Sequence, residues 1–222
     1  MQNLEIVCLA NSRKIGGRCV AGMTSTGSWI RPVSSAPGGT LSPRHYLLRD
    51  GTEAAVLDII RLEVANARPE QYQPENWEVS AAQWERLGHL TPTDARAFLR
   101  QHTTPGPDLL GNDSDRVLYQ ELLNHPAGAS LCVIEPGYLR WYIRTNYAGN
   151  KQARATFNLA GADYDLVVTD PVWERRLLDL PYGHHERAAA GIPDSKTVFL
   201  TISLAGPLGQ TCYKLVAAVI VL

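Results

Sequence analysis

Cys8-Leu9-Ala10-Asn11-Ser12-Arg13-Lys14-Ile15-Gly16-Gly17-Arg18-Cys19-Val20-Ala21-Gly22 is the stretch on which the reading of the chain turns. An apolar run enters Asn11-Ser12, passes two basic residues and a glycine pair, and returns to apolar residues. That order is a strand, a tight reversal and a second strand. Gly16-Gly17 permits positive φ and close backbone approach, so the amides there can meet an anion, with Arg13, Lys14 and Arg18 beside them. Phosphate suits this mix, since Arg binds it bidentately and Lys as a point charge. The plain alternative is a surface hairpin whose glycines only turn and whose basic residues only face water. The residues leave both open. The P-loop spacing is absent and no helix follows the glycines, so nucleotide hydrolysis has no support.

Outward from the hairpin, the first sixty-five residues read as short strands. Leu4–Ala10, Arg18–Met23, Trp29–Ser34 and Val56–Val64 are rich in Val, Ile, Leu or Cys and bounded by Gly, Ser, Pro and Asn. Leu57 to Val64 alternates over its second part as a half-buried strand does. Ser35–Pro43, with Pro37, Gly38, Gly39 and Pro43, is loop.

The middle reads differently. Ser80-Ala81-Ala82-Gln83 resembles a capping box opening a short helix with Trp84 and Leu87 on one face. Thr91-Pro92-Thr93-Asp94 opens a second, with Ala95, Phe98, Leu99 and His102 at helical spacing. Ser114 caps a third, with Val117, Leu118 and Leu122 inward. Strands return at Ser130–Glu135, Leu139–Asn146, Arg154–Leu159, Tyr164–Thr169, Thr197–Leu204 and Tyr213–Leu222, and Pro171–Leu178 is a helix with Asp170 as its cap. The fold class is mostly β with a minor α part. A first β-unit occupies 1–75, a helical connector 76–127 and a second β-unit 128–222. Two small five-stranded barrels of the OB type account for this count and remove open sheet edges.

Hydrophobic residues make up 45% and charged residues 19% of the 222, which excludes a disordered chain. No apolar run reaches the roughly 18 residues of a membrane span, and the N-terminus carries no basic region or signal core, so a cytoplasmic protein is expected. Cys8, Cys19, Cys132 and Cys212 sit in apolar strand-like contexts without a CxxC pair, as small core residues do. The net charge of −1 hides a pattern. Residues 1–50 hold six basic groups against two acidic, and residues 51–125 hold six against twelve. A local positive surface can attract an anion on an otherwise neutral molecule.

The run Ile6–Gly22, then Trp29-Ile30-Arg31-Pro32-Val33-Ser34, Leu57-Asp58-Ile59 and Gln73-Pro74-Glu75-Asn76-Trp77, resembles the bacterial dual OB-containing domain proteins. Tyr164-Asp165-Leu166-Val167-Val168-Thr169-Asp170-Pro171 resembles that family's second half. The resemblance spans nearly the whole chain. It implies tandem OB folds, a nucleic-acid partner with DNA ahead of RNA, and protein partners in multi-gene systems that modify DNA or defend against phage.

On that footing the candidate nucleic-acid contacts are Asn11, Ser12, Arg13, Lys14, Gly16, Gly17, Arg18, Trp29, Arg31, Arg140, Tyr142 and Arg144. In Arg140-Trp141-Tyr142-Ile143-Arg144 the alternation puts Arg140, Tyr142 and Arg144 on one face and Trp141 and Ile143 on the other, with Tyr147 close by. A solvent-facing stripe of this kind would stack bases and hold phosphates. An enzymatic alternative makes Cys8 or Cys19 a nucleophile on a modified base, since a thiolate beside Arg or Lys is activated. A protein–protein adaptor is the third reading. His184-His185-Glu186 has metal-ligand residue types but no third partner at known spacing, so no metal and no cofactor are expected.

Overall fold

The computed structural model describes all residues, Met1–Leu222. Six strands build the first sheet: β1 (Gln2–Lys14), β2 (Gly17–Met23), β3 (Trp29–Val33), β4 (Asp58–Ala67), β5 (Asn76–Val79) and β6 (Glu85–His89). Their order is β1-β2-β3-β5-β4-β6, and β1 also pairs β4, so five strands close into a barrel. β3 and β5 run parallel and the other pairs antiparallel, the order of an OB fold. Along β4 the burial alternates, with Ile60, Leu62 and Val64 inside and Ile59, Arg61 and Glu63 outside, as the period-two pattern requires.

The second sheet holds β8 (Leu131–Ile134), β9 (Tyr138–Thr145), β10 (Lys151–Leu159), β11 (Ala162–Val168), β12 (Gly183–Glu186), β13 (Val198–Leu204) and β14 (Thr211–Val221), with β7 (Arg116–Leu118) on β14. It repeats the motif of an antiparallel meander, a parallel step from β11 to β14 and an antiparallel return. Its path runs β12-β9-β10-β11-β14-β13-β8. β8 and β9, near its two ends, are consecutive in sequence.

Four α-helices, α1 (Pro43–Tyr46), α2 (Pro92–Gln101), α3 (Tyr119–Asn124) and α4 (Pro171–Leu178), and two short 3-10 helices, Pro37–Gly39 and Arg187–Ala190, complete the chain. None is long and apolar enough to cross a membrane. Two local expectations are corrected. Ser80–Gln83 opens no helix; Glu85–His89 is a strand, because its backbone pairs with Asp58–Arg61. Ser114 caps no helix either; Arg116–Leu118 is a strand, and α3 begins only at Tyr119. Within the span read as connector, β5 and β6 therefore belong to the first sheet and β7 to the second.

The two units pack face to face. Val7, Leu9 and Met23 of the first meet Val133, Phe199, Ile220 and Leu222 of the second, and Ala95 and Leu99 of α2 fill the same layer. Beside them Ala10 and Ala21 lie against Ala217 and Ala218, small residues that let β1 and β14 approach closely. Leu9 is the extra residue of a β1 bulge between Cys8 and Ala10. Its carbonyl, lost to the ladder, accepts from Thr201 Oγ1 at 2.7 Å across the interface.

Candidate nucleic-acid interface

The Cys8–Gly22 segment forms a hairpin, with Arg13 opposite Arg18 and Lys14 opposite Gly17. Gly16 takes φ +81° at the tip. Gly17 is needed for a different reason, since a Cβ there would lie 1.9 Å from the Leu41 carbonyl oxygen. The basic groups already have partners. Arg13 forms a bidentate pair with Glu174 of α4, Lys14 donates to the Gly38 carbonyl, and Arg18 is bidentate to Glu53 while resting over the Tyr46 ring. That hydrogen bond raises the Arg18 pKa, and burial lowers that of Lys14. Asn11 donates to Glu53 and to the Ala54 carbonyl.

Arg31 stands elsewhere than a strand-binding residue should. It is 2% exposed. Its guanidinium donates to Ser130 Oγ at 2.8 Å, the Ser130 carbonyl at 3.2 Å, Ser203 Oγ at 3.3 Å and Cys19 Sγ at 3.3 Å. Glu75 completes the clamp, accepting from both Ser130 N and Oγ at 2.6 Å. Arg31 thus ties the two units together and meets no solvent while they stay docked. Trp29, on the same strand face, packs partly into the same layer. Ser12 is buried and donates to the Cys19 carbonyl. The outer face of β2 and β3, the face OB barrels use for strands, is therefore spent on the contact between units.

The cysteines divide in the same way. Cys8 is fully buried; desolvation first, with the Asp58 charge adding, pushes its thiol up to about 12. No substrate reaches it, which removes it as a nucleophile. Cys19 is half-buried beside the Arg31 guanidinium.

In the second unit the outer face of β9 is partly open, with Tyr138 and Arg140 exposed and Tyr142 and Arg144 half-buried. On β9, Leu139, Trp141 and Ile143 are buried, while Tyr138, Arg140, Tyr142 and Arg144 point outward. Trp141 stacks on Trp173 inside the unit. Across the edge, β12 pairs with β9 so that His184 lies opposite Tyr142 and Glu186 opposite Arg140. The His184 and Tyr142 rings stack at 4.2 Å and 5° between planes. Arg140 pairs with Glu186 at 2.6 Å, whereas no acidic group pairs with Arg144. Tyr147 stands fully exposed at the β9–β10 turn. Sequence reasoning missed His184 as a stacking partner because His184-His185-Glu186 reads as a solvated loop with metal-ligand residue types. No apolar–polar alternation in Gly183-His184-His185-Glu186 marks it as a strand; its pairing with β9 does.

α4 lies beside the hairpin. Asp170 Oδ1 accepts from the amides of Val172 and Trp173, and Oδ2 from that of Val219, so one carboxylate caps α4 and ties it to β14. Burial raises the Asp170 pKa.

Comparison with the curated proteins finds no match. Among solved structures, the Ifi202 HINa domain in complex with 20-bp dsDNA is 8% identical over 99% of this chain and 94% of its own, at a TM-score of 0.34. A second, described as "Structural mimicry for functional antagonism", is 8% identical over 99% and 91%, also at 0.34. Likeness at that level fixes neither fold nor ligand. The sequence profile described as "Dual OB-containing domain" matches residues 4–219, in keeping with the closed five-stranded barrel of the first unit, and the chain belongs to that family.

Proposed function

We propose that this protein binds single-stranded nucleic acid, DNA ahead of RNA, on the outer face of β9 and its neighbours. The observation that carries the reading is the outward row of exposed Arg140 and half-buried Tyr142 and Arg144, with the His184 ring stacked on Tyr142. A stacked ring pair set beside arginines offers its outer face to a base already unstacked from a partner strand, which is why a single strand fits better than a duplex. The second unit is read as an OB barrel whose first strand is split into β8 and β9. In support, α4 sits between its third and fourth strands as α1 does in the first unit, and Trp173 and Leu177 plug the interior. On this reading the first unit has given up its ligand face to dock the second, and the second keeps its own. We read the binding as serving a system that modifies or defends DNA, which is what the sequence resemblance implies.

Arg144 is unpaired while Arg140 is held by Glu186, so one phosphate contact predicts a weak salt dependence, a slope of about −0.7 in log K against log salt. Fluorescence anisotropy of a labelled oligothymidylate tests the reading. Tyr142→Ala should weaken binding by the roughly 1–3 kcal/mol of one stacked base. Unchanged affinity in Tyr142→Ala and in the Arg140→Ala, Arg144→Ala pair would refute it.

A further inference from the structure

Between the hairpin of the first unit and α4 of the second, a cleft of about 700 Å³ opens to solvent, a volume in the range of small-ligand sites. Arg18 and the Glu53–Val56 loop form one wall; Pro171, Val172 and the basic residues of α4 form the other. The charges in it are unevenly used. Arg18 is neutralised by Glu53, and both oxygens of Asp170 are taken up by backbone amides. Arg175 has neither a hydrogen-bond nor an ion-pair partner. Arg176 is exposed, lies 4.9 Å over the Trp173 ring and donates only to the Ala190 carbonyl at 3.4 Å. Against these two cations stand Asp179, which has no partner, and the Asp170 carboxylate, whose oxygens face backbone amides rather than the cleft's cations. Val172 is 70% exposed on the same wall.

A cleft with free guanidinium charge and an apolar wall fits a ligand that is anionic at one end and flat and apolar at the other. A guanidinium already backed by an indole offers its plane to a base, and an unpaired one offers a fork to a phosphate. We propose that the cleft between the units binds a phosphorylated nucleoside, its base on Arg176 and Val172 and its phosphate on Arg175. The ligand is either a free nucleotide or the phosphorylated end of a strand. This site is separate from the β9 face and stands without it.

Calorimetric titration of the full chain with adenosine monophosphate, a 5′-phosphorylated dinucleotide and unphosphorylated adenosine tests the proposal. Either phosphorylated ligand should bind, with adenosine at least about tenfold weaker because the Arg–phosphate contact is lost. Binding of the dinucleotide alone identifies a strand end; equal binding of the monophosphate identifies a free nucleotide. Arg175→Ala with Arg176→Ala should weaken the phosphorylated ligand by about tenfold or more, while Asp179→Asn, which removes the opposing charge, should tighten it. The Arg140→Ala, Arg144→Ala pair should leave this titration unchanged, so failure here and failure at the β9 face read separately. No saturable heat at millimolar ligand, or heat indifferent to Arg175, Arg176 and Asp179 alike, would overturn the assignment.

Discussion

Replacing Arg31 by Met separates a residue that holds the units together from one that holds a ligand. Met preserves most of the aliphatic stem but none of the donors. The bonds to Ser130 Oγ at 2.8 Å and Ser203 Oγ at 3.3 Å vanish, and Glu75 keeps Ser130 but loses the cation across it. Hydrogen bonds from a charged donor contribute about 1.5–3 kcal/mol each, and removing one member of a buried charged set costs about 3–5 kcal/mol. Glu75 is only partly buried, so the low end applies, about 3 kcal/mol. With a urea slope of about 2–3 kcal/mol/M, the unfolding midpoint should fall by about 1 M. Arg31→Lys, which restores charge but not the fork, should fall between. Tryptophan fluorescence through a urea titration reads this directly. A midpoint within about 0.2 M of wild type, together with lost oligonucleotide affinity, would show that Arg31 serves a ligand and that the clamp reasoning is wrong.

Other outcomes follow from the same geometry. Gly17→Ala sets a Cβ against the Leu41 carbonyl and should cost about 2–3 kcal/mol, whereas Gly16→Ala, strained by φ +81° but in open space, should cost about 1 kcal/mol; thermal melts compare them. Native labelling with a thiol reagent at pH 8 should modify Cys19 alone, because Cys8, Cys132 and Cys212 are buried, and Cys19→Ser should abolish it; labelling beyond one equivalent contradicts this burial. Lys214 is buried, bonded to Ser114 O and to Asn112 O and Oδ1, and burial lowers its pKa from 10.5 to about 8. The unfolded chain then holds more protons above pH 8, so stability rises with pH there, by about 1 kcal/mol per unit at most. Cys8 and Cys132, raised from 9.0 to about 12, act oppositely above pH 9, where the unfolded thiols ionise first. Stability should peak near pH 9, and Lys214→Met should erase the rise from pH 8; a rise that survives in that variant contradicts the linkage.

Much of this was legible in the chain. The alternation in β4 and β9 showed which side chains face inward, since period two needs no knowledge of neighbours. The Asp170-Pro171 cap was legible because capping is local. Ser80–Gln83 misled because a capping-box spelling is also only local. Strand β6 exists because β4 had an unpaired edge, which sequence windows cannot see. Trp84 ended fully buried whatever element carried it. Arg31 was the deepest miss. Its partners Ser130 and Ser203 lie 99 and 172 residues away, so nothing near it in sequence marks it as buried. The Cys8–Arg31 segment therefore carries the fold and the docking of the units, while the outward aromatic and basic row proposed as the ligand face is on β9.

Ultraviolet crosslinking of a single-stranded bromouridine oligonucleotide to the full chain, read by peptide mass spectrometry, tests the central claim most directly. Crosslinks should fall on Tyr138, Tyr142 and Tyr147 and on His184 of the neighbouring strand. Crosslinks confined to the hairpin around Arg13–Arg18 or to Trp29, with none on Tyr138–Lys151, would contradict it.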